Sequence, residues 1–126
     1  MKLEFLVDGS PDCPLIRLFE FTSSEAARLQ TVVVRLATGT AERVEVHEID
    51  GVESIGNCRL ALVARDWNQG VVRTDSGPNF ECGLTAAMWD NVAGLIEPFA
   101  QGASGDQWLA DSPGEAPLLI SINGRW

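Results

Sequence analysis

Thr22–Gly39, which reads TSSEAARLQTVVVRLATG, contains the strongest structural signal in the chain. Thr22 and Glu25 match a capping box, in which the hydroxyl accepts a backbone amide of the first helical turn and the carboxylate accepts the amide of the cap residue. Apolar residues then recur at helical spacing, and Gly39 can end the helix in a left-handed conformation. The stretch therefore predicts an amphipathic helix whose apolar side lies in a core. These apolar residues are Ala26, Leu29, Val33 and Leu36.

A second amphipathic helix is predicted from about Thr85 to Phe99. Its apolar residues again follow helical spacing, with Trp89 at the border of the apolar stripe. Pro98 has no backbone N–H and is expected to end or bend the last turn. The buried stripe is predicted to consist of Met88, Val92, Leu95, Ile96 and Phe99.

Alternating or continuous apolar residues predict β-strands over much of the remaining chain. Residues 2–8 alternate as a half-buried strand does, and Leu15–Phe21 is apolar on both faces, as in a central strand. Asp66–Gly70 is typical of a hairpin loop between neighbouring strands. Further strands are predicted at Arg43–Ile49, Cys58–Arg65, Val71–Asp75, Asn79–Cys82 and Leu118–Ile122.

Together these elements predict one α+β domain over residues 1–126, with a mostly antiparallel sheet of about five to seven strands. The two helices are expected to pack on one face of that sheet, and the elements follow one another roughly as ββαββββαβ. A chain of 126 residues has the size of one common domain and can bury one core.

The chain is acidic, with 18 Asp and Glu residues, 9 Lys and Arg residues and a formal net charge of −9. Nucleic-acid binding needs a basic surface that releases counterions, and anionic membranes attract basic segments, so neither partner is expected. No apolar run is long enough to span a bilayer, and the N-terminal apolar stretch meets acidic residues too early for a signal peptide. We therefore expect a cytoplasmic location.

His47 is the only histidine, and it is predicted to share a strand face with Glu45. A carboxylate beside an imidazole can orient the ring as a general base. The same residues are also typical of a solvated edge strand whose mixed charges discourage aggregation, and this is the interpretation that we favour.

Cys82 precedes the second predicted helix, whose dipole could lower the pKa of the thiol and favour a nucleophile. A nucleophile would also need a base and an oxyanion site, and neither is identifiable, so we favour a buried structural cysteine. The three cysteines show no CxxC spacing, and the sequence contains no phosphate-binding or calcium-loop motif. No catalytic residue, metal or cofactor is therefore predicted.

One face of the predicted sheet carries arginines around apolar residues. Strand alternation sends Arg59, Val63 and Arg65 away from the helices, and Val71 and Arg73 are expected to join them, depending on register. Arginine is enriched at protein interfaces, so this face can bind a partner. The alternative is a solvated face on which the charged residues form cross-strand ion pairs. The indole of Trp67, at the tip of the predicted hairpin, can contact a partner or fold back on the sheet. The predicted interaction residues are Arg59, Val63, Arg65, Val71, Arg73 and Trp67.

No motif in the sequence is specific enough to name a reaction. The first functional hypothesis is a non-catalytic module that binds a protein partner, or a second copy of itself, through the sheet face opposite the helices. The alternative is a small enzyme or small-molecule-binding domain with a pocket between helices and sheet near Cys82 or His47. A third hypothesis is a regulatory protein whose acidity complements a basic partner.

Overall fold

The computed structural model of the chain describes residues 1–111 and 113–126. Within these residues the elements follow the order ββαβββββαββ. The helices are α1 (Ser23–Thr38) and α2 (Ala86–Ala100). The strands are β1 (Lys2–Leu6), β2 (Leu15–Phe19), β3 (Arg43–Glu45), β4 (Glu53–Ser54), β5 (Arg59–Ala64), β6 (Gly70–Arg73), β7 (Asn79–Leu84), β8 (Asp106–Ala110) and β9 (Leu118–Ser121).

The capping box predicted for α1 is confirmed. The Thr22 hydroxyl accepts a hydrogen bond from the Glu25 amide at 3.2 Å, and the Glu25 carboxylate accepts one from the Thr22 amide at 2.9 Å. Gly39 ends the helix at φ +78°, and its amide donates to the Arg35 carbonyl. The four residues predicted for the apolar stripe are all buried.

In α2, the Thr85 hydroxyl caps the first turn by accepting the Met88 amide at 3.2 Å. Trp89 lies deeper than predicted, with 1% of its surface exposed, and its indole N–H donates to the Val63 carbonyl of β5 at 3.0 Å. The two helices also pack against each other, with an edge-to-face contact between Phe21, just before α1, and Phe99 of α2. The helices therefore form one layer that is fixed directly to β5.

The predicted single, mostly antiparallel sheet is wrong, although the α+β class and both helices are confirmed. Among the residues that the structure describes, the strands form two mixed sheets, one of five strands in the order β4-β1-β2-β9-β8 and one of four in the order β3-β5-β7-β6. Three of the described pairs are parallel, namely β1 with β4, β2 with β9, and β5 with β7. Local patterns indicate where strands form, but parallel neighbours are distant in sequence, so these pairings leave no local signal.

The hairpin predicted at Asp66–Gly70 is also wrong, because β7 lies between β5 and β6. The connection crosses the end of β7, where the Arg65 amide donates to the Leu84 carbonyl and the Gln69 amide donates to the Gly83 carbonyl. A Cβ atom at Gly83 would lie 2.8 Å from Cγ of Arg65 and 3.2 Å from Cβ of Gln69. The crossing is therefore possible because position 83 has no side chain.

In the described part of the chain, one hydrophobic cluster contains residues of both sheets and both helices, so the helices do not lie on one sheet alone. The connection between β8 and β9 joins the sheets, because the Glu115 amide donates to the Val71 carbonyl at 2.7 Å. The Glu115 carboxylate also accepts the Arg73 amide at 2.7 Å. The face of the four-stranded sheet that enters this core carries Leu60, Leu62, Val71, Phe80, Cys82 and Leu84.

Candidate functional site: the outer face of the four-stranded sheet

The four-stranded sheet has a second face, which points away from the core. On β5, the residues that alternate with the buried Leu60 and Leu62 lie on this face. Strand register places side chains of β3 and β7 beside them. We call this surface the outer face; it consists of Arg43, Glu45, Arg59, Ala61, Val63, Val72, Asn79 and Glu81, with Arg65 at the end of β5.

Ion pairs cross the middle of the outer face. Glu81 of β7 pairs with Arg43 of β3 at 3.1 Å and also with Arg65. Arg43 in turn pairs with Glu45 at 2.6 Å. Ala61 and Val63 lie among these charged groups and are only 2% and 8% exposed. The apolar centre expected from the sequence is therefore largely covered by charged side chains.

The electrostatics of Glu81 follow from this arrangement. Partial burial by itself would raise the pKa of the Glu81 carboxyl, but hydrogen bonds and charges from Arg65 and Arg43 outweigh it and hold the pKa below its ordinary value of 4.5. The ionised carboxylate is therefore part of the folded structure, and it keeps both arginines in fixed positions.

Acid is expected to weaken the protein through Glu81. Because its folded pKa lies below the unfolded value of 4.5, its contribution to stability is complete above that value and is lost as the pH falls through the folded pKa. We expect Glu81→Gln to lower the free energy of unfolding at about pH 7, and the difference from the wild type to shrink at about pH 3. Urea denaturation at both pH values measures this. A difference that stays constant would contradict the assignment.

A groove of about 580 Å³ opens at the end of the outer face where β5 and β7 begin. Arg59 is exposed there, and within residues 1–111 and 113–126 its guanidinium forms no ion pair and no hydrogen bond, unlike the guanidinium of Arg43. The groove is lined by Arg43, Glu45, His47, Glu48, Arg59, Ala61, Thr74, Asp75, Asn79 and Phe80. The Asp75 carboxylate already accepts hydrogen bonds from the Gly77 amide and the Asn79 side chain.

His47 lines the groove but is held by the backbone. The predicted strand Arg43–Ile49 ends at Glu45 and turns into a short 3-10 helix, Val46–Glu48. Nδ1 of His47 accepts a hydrogen bond from the Leu60 amide of β5 at 3.3 Å. It takes the place of a backbone carbonyl, because β3 has already ended at this point. The neutral ring then carries its proton on Nε2, which lies 3.7 Å from Glu45. Neither nitrogen has a free lone pair, so this geometry does not favour a general base.

Cys82 lies within β7 on the core side and is fully buried. Burial raises the pKa of its thiol to about 12, so the lowering considered from the dipole of α2 is not found. Burial likewise raises the pKa of Cys58 to about 12. These thiols remain protonated near neutral pH and pack as small apolar groups.

Val71 and Arg73 do not lie on the outer face, so the predicted placement of these two residues is corrected. The register of β6 places Val71 opposite Cys82, and Val71 is 1% exposed in the core. The Arg73 guanidinium lies over the Phe5 and Phe80 rings, 5.2 and 5.5 Å from their centroids. The sequence alone left the register of this strand open, and the pairing with β7 points Val71 and Arg73 to the core side of the sheet.

Trp67 lies at the other end of the sheet from the groove. It is 59% exposed, in the middle of the connection that crosses β7 between Arg65 and Gln69. The structure thus brings Arg59, Val63 and Arg65 onto one face with Trp67 at its edge. Sequence reasoning did not identify Glu81 as part of this face. The apolar neighbours Phe80 and Cys82 indicate that Glu81 points to the opposite side of its strand, but nothing in the sequence indicates that this strand pairs in parallel with β5.

In the described part of the chain, no helix is long and apolar enough to cross a membrane. Among the same residues, no three His, Cys, Asp or Glu side chains come together as a metal site would require. Comparisons of the chain with protein families, with curated proteins and with solved structures found no match.

Proposed function

We propose that this chain is a non-catalytic protein-binding module and that it binds through the outer face of the four-stranded sheet. The observation that carries the proposal is the combination of Arg59, which has no ion-pair partner among the described residues, with the exposed indole of Trp67 at the opposite end of β5. Tryptophan and arginine are the residue types most enriched at energetic hot spots of protein interfaces.

The ion pairs around Glu81 support this function because they organise the surface before any partner arrives. Arg43 and Arg65 are already fixed by Glu81, so little side-chain entropy would be lost when a partner covers them. Ala61 and Val63 offer little apolar area of their own. Binding would therefore depend on Arg59 and Trp67, and we expect a modest affinity.

The two candidate catalytic groups support the non-catalytic part of the proposal. The thiol of Cys82 is buried on the core side, and a protonated, enclosed thiol is a poor nucleophile. The imidazole of His47 accepts a backbone amide, which gives it a structural task at the end of β3.

Partner retention by immobilised protein tests the proposed function. A protein that binds the outer face should be retained by the wild type but lost with Arg59→Glu and with Trp67→Ala. Both changed side chains are exposed, so thermal unfolding should be unchanged. Arg35→Glu, on the exposed side of α1, and Trp126→Ala serve as matched controls and should retain the protein. Retention that all four variants preserve would contradict the use of this face.

A further inference from the structure

Arg59 of the outer face and Trp67 at the edge of this face complement each other but cannot meet within one chain. Arg59 lies in the groove where β5 begins, and Trp67 follows the other end of β5. Five strand steps from Arg59 to Ala64, at about 3.3 Å each, separate the two ends by roughly 17 Å. A guanidinium stacks favourably on an indole, but only within about 6 Å of the ring centroid.

A two-fold axis would bring these groups together. If two copies face each other with their β5 strands antiparallel, the Trp67 end of one copy lies over the groove end of the other, and the reverse contact forms by symmetry. Resting on the proposed function, we propose that the partner of the outer face is a second copy of this chain, with Trp67 of each copy seated in the groove of the other against Arg59.

Net charge does not favour this partner, and the contact depends on Arg59 and Trp67. The strand residues of the outer face and Arg65 supply three arginines, Arg43, Arg59 and Arg65, against two glutamates, Glu45 and Glu81. Glu48 and Asp75 also line the groove, and Asp66 precedes Trp67, so the two ends that meet carry more acidic than basic groups. The stacking of the Arg59 guanidinium on the Trp67 indole is therefore the interaction that favours a second copy.

The size of the face sets the expected affinity. Stable interfaces bury about 800 Å² on each partner, whereas four short strands with their loops offer less, and much of this area is already ion-paired. We expect a monomer–dimer equilibrium with a Kd between about 1 and 100 µM. Trp67→Ala and Arg59→Glu each remove a contact from both halves of the dimer and should each weaken it at least about tenfold.

Sedimentation equilibrium tests the proposal directly. The wild type should dimerise, Trp67→Ala and Arg59→Glu should weaken the dimer, and the matched controls Trp126→Ala and Arg35→Glu should not. The decisive sample mixes Trp67→Ala with Arg59→Glu. In that heterodimer, the Trp67 of the arginine variant meets an intact Arg59, so one of the two contacts is restored and the heterodimer should be tighter than either variant homodimer.

A wild type that stays monomeric up to about 500 µM would overturn the second copy as partner, since such a Kd lies well outside the expected range. That result would leave the retention experiment to decide the proposed function. A dimer that neither face variant weakens would count against both the second-copy contact and the use of the outer face. A dimer that both variants weaken without recovery in the mixture would overturn the reciprocal contact between Trp67 and Arg59.

Discussion

Replacing Gly70 with alanine is expected to lower the free energy of unfolding by about 3–5 kcal/mol. Gly70 has φ +74°, and a Cβ atom built there would lie 1.6 Å from the carbonyl oxygen of Pro113. This neighbour is backbone, so it cannot rotate away as a side chain would. Relief requires the connection between β8 and β9 to leave β6, which also strains the bond between the Glu115 amide and the Val71 carbonyl.

Gly39→Ala is the matched control for Gly70→Ala. Gly39 has a nearly equal φ of +78°, but a Cβ atom there would meet nothing within 4 Å. Its replacement should cost only the left-handed backbone conformation, about 1–2 kcal/mol. Urea denaturation of both variants separates backbone strain from collision. Equal losses would contradict the close packing of the two sheets at Gly70.

Replacing Trp89 with alanine is expected to destabilise the protein by about 3–5 kcal/mol, because a fully buried indole leaves a large cavity. Trp89 also connects α2 to the sheet, since its indole N–H donates to the Val63 carbonyl at 3.0 Å. Trp89→Phe keeps most of the packing but removes this bond, and it should cost about 1–2 kcal/mol.

Urea denaturation of Trp89→Ala and Trp89→Phe checks both values. Trp108→Phe is a useful control, because Trp108 is only partly buried on β8. A loss below about 1 kcal/mol for Trp89→Ala would show that this side chain is not central to the contact between α2 and β5. Stability of Trp89→Phe equal to that of the wild type would contradict the hydrogen bond to Val63.

The two helices could be predicted because their signals are local. The capping box at Thr22 and Glu25 and the ending at Gly39 involve neighbours in sequence, and the structure confirms them. The sheet could not be predicted in the same way. Strand β8 was missed because Asp106–Ala110 has only two strongly apolar residues, Trp108 and Leu109, between polar neighbours. The antiparallel pairing with β9 holds these residues in a strand, and the local sequence pattern does not indicate this pairing.

The candidate site illustrates the same limit. Alternation within β5 correctly sent Arg59 and Arg65 to one face, since a period of two needs no knowledge of the partner strand. Placing Arg73 required the register between β6 and β7, and the alternation of β6 alone does not indicate which side faces inward. The low exposure of Val63 could not be predicted either, because it depends on Arg43 and Glu81, which lie on strands that are distant from β5 in sequence.

The central proposal is that two copies of this chain bind each other through the outer face of the four-stranded sheet, and amide NMR spectra recorded over a concentration series test it most directly. From about 20 µM to about 1 mM, we expect shifts to concentrate at residues 43–47, 59–67 and 79–81, with α1 unchanged. Trp67→Ala should suppress these shifts. Shifts confined to the helices or to the five-stranded sheet, with the outer face unchanged, would contradict the account.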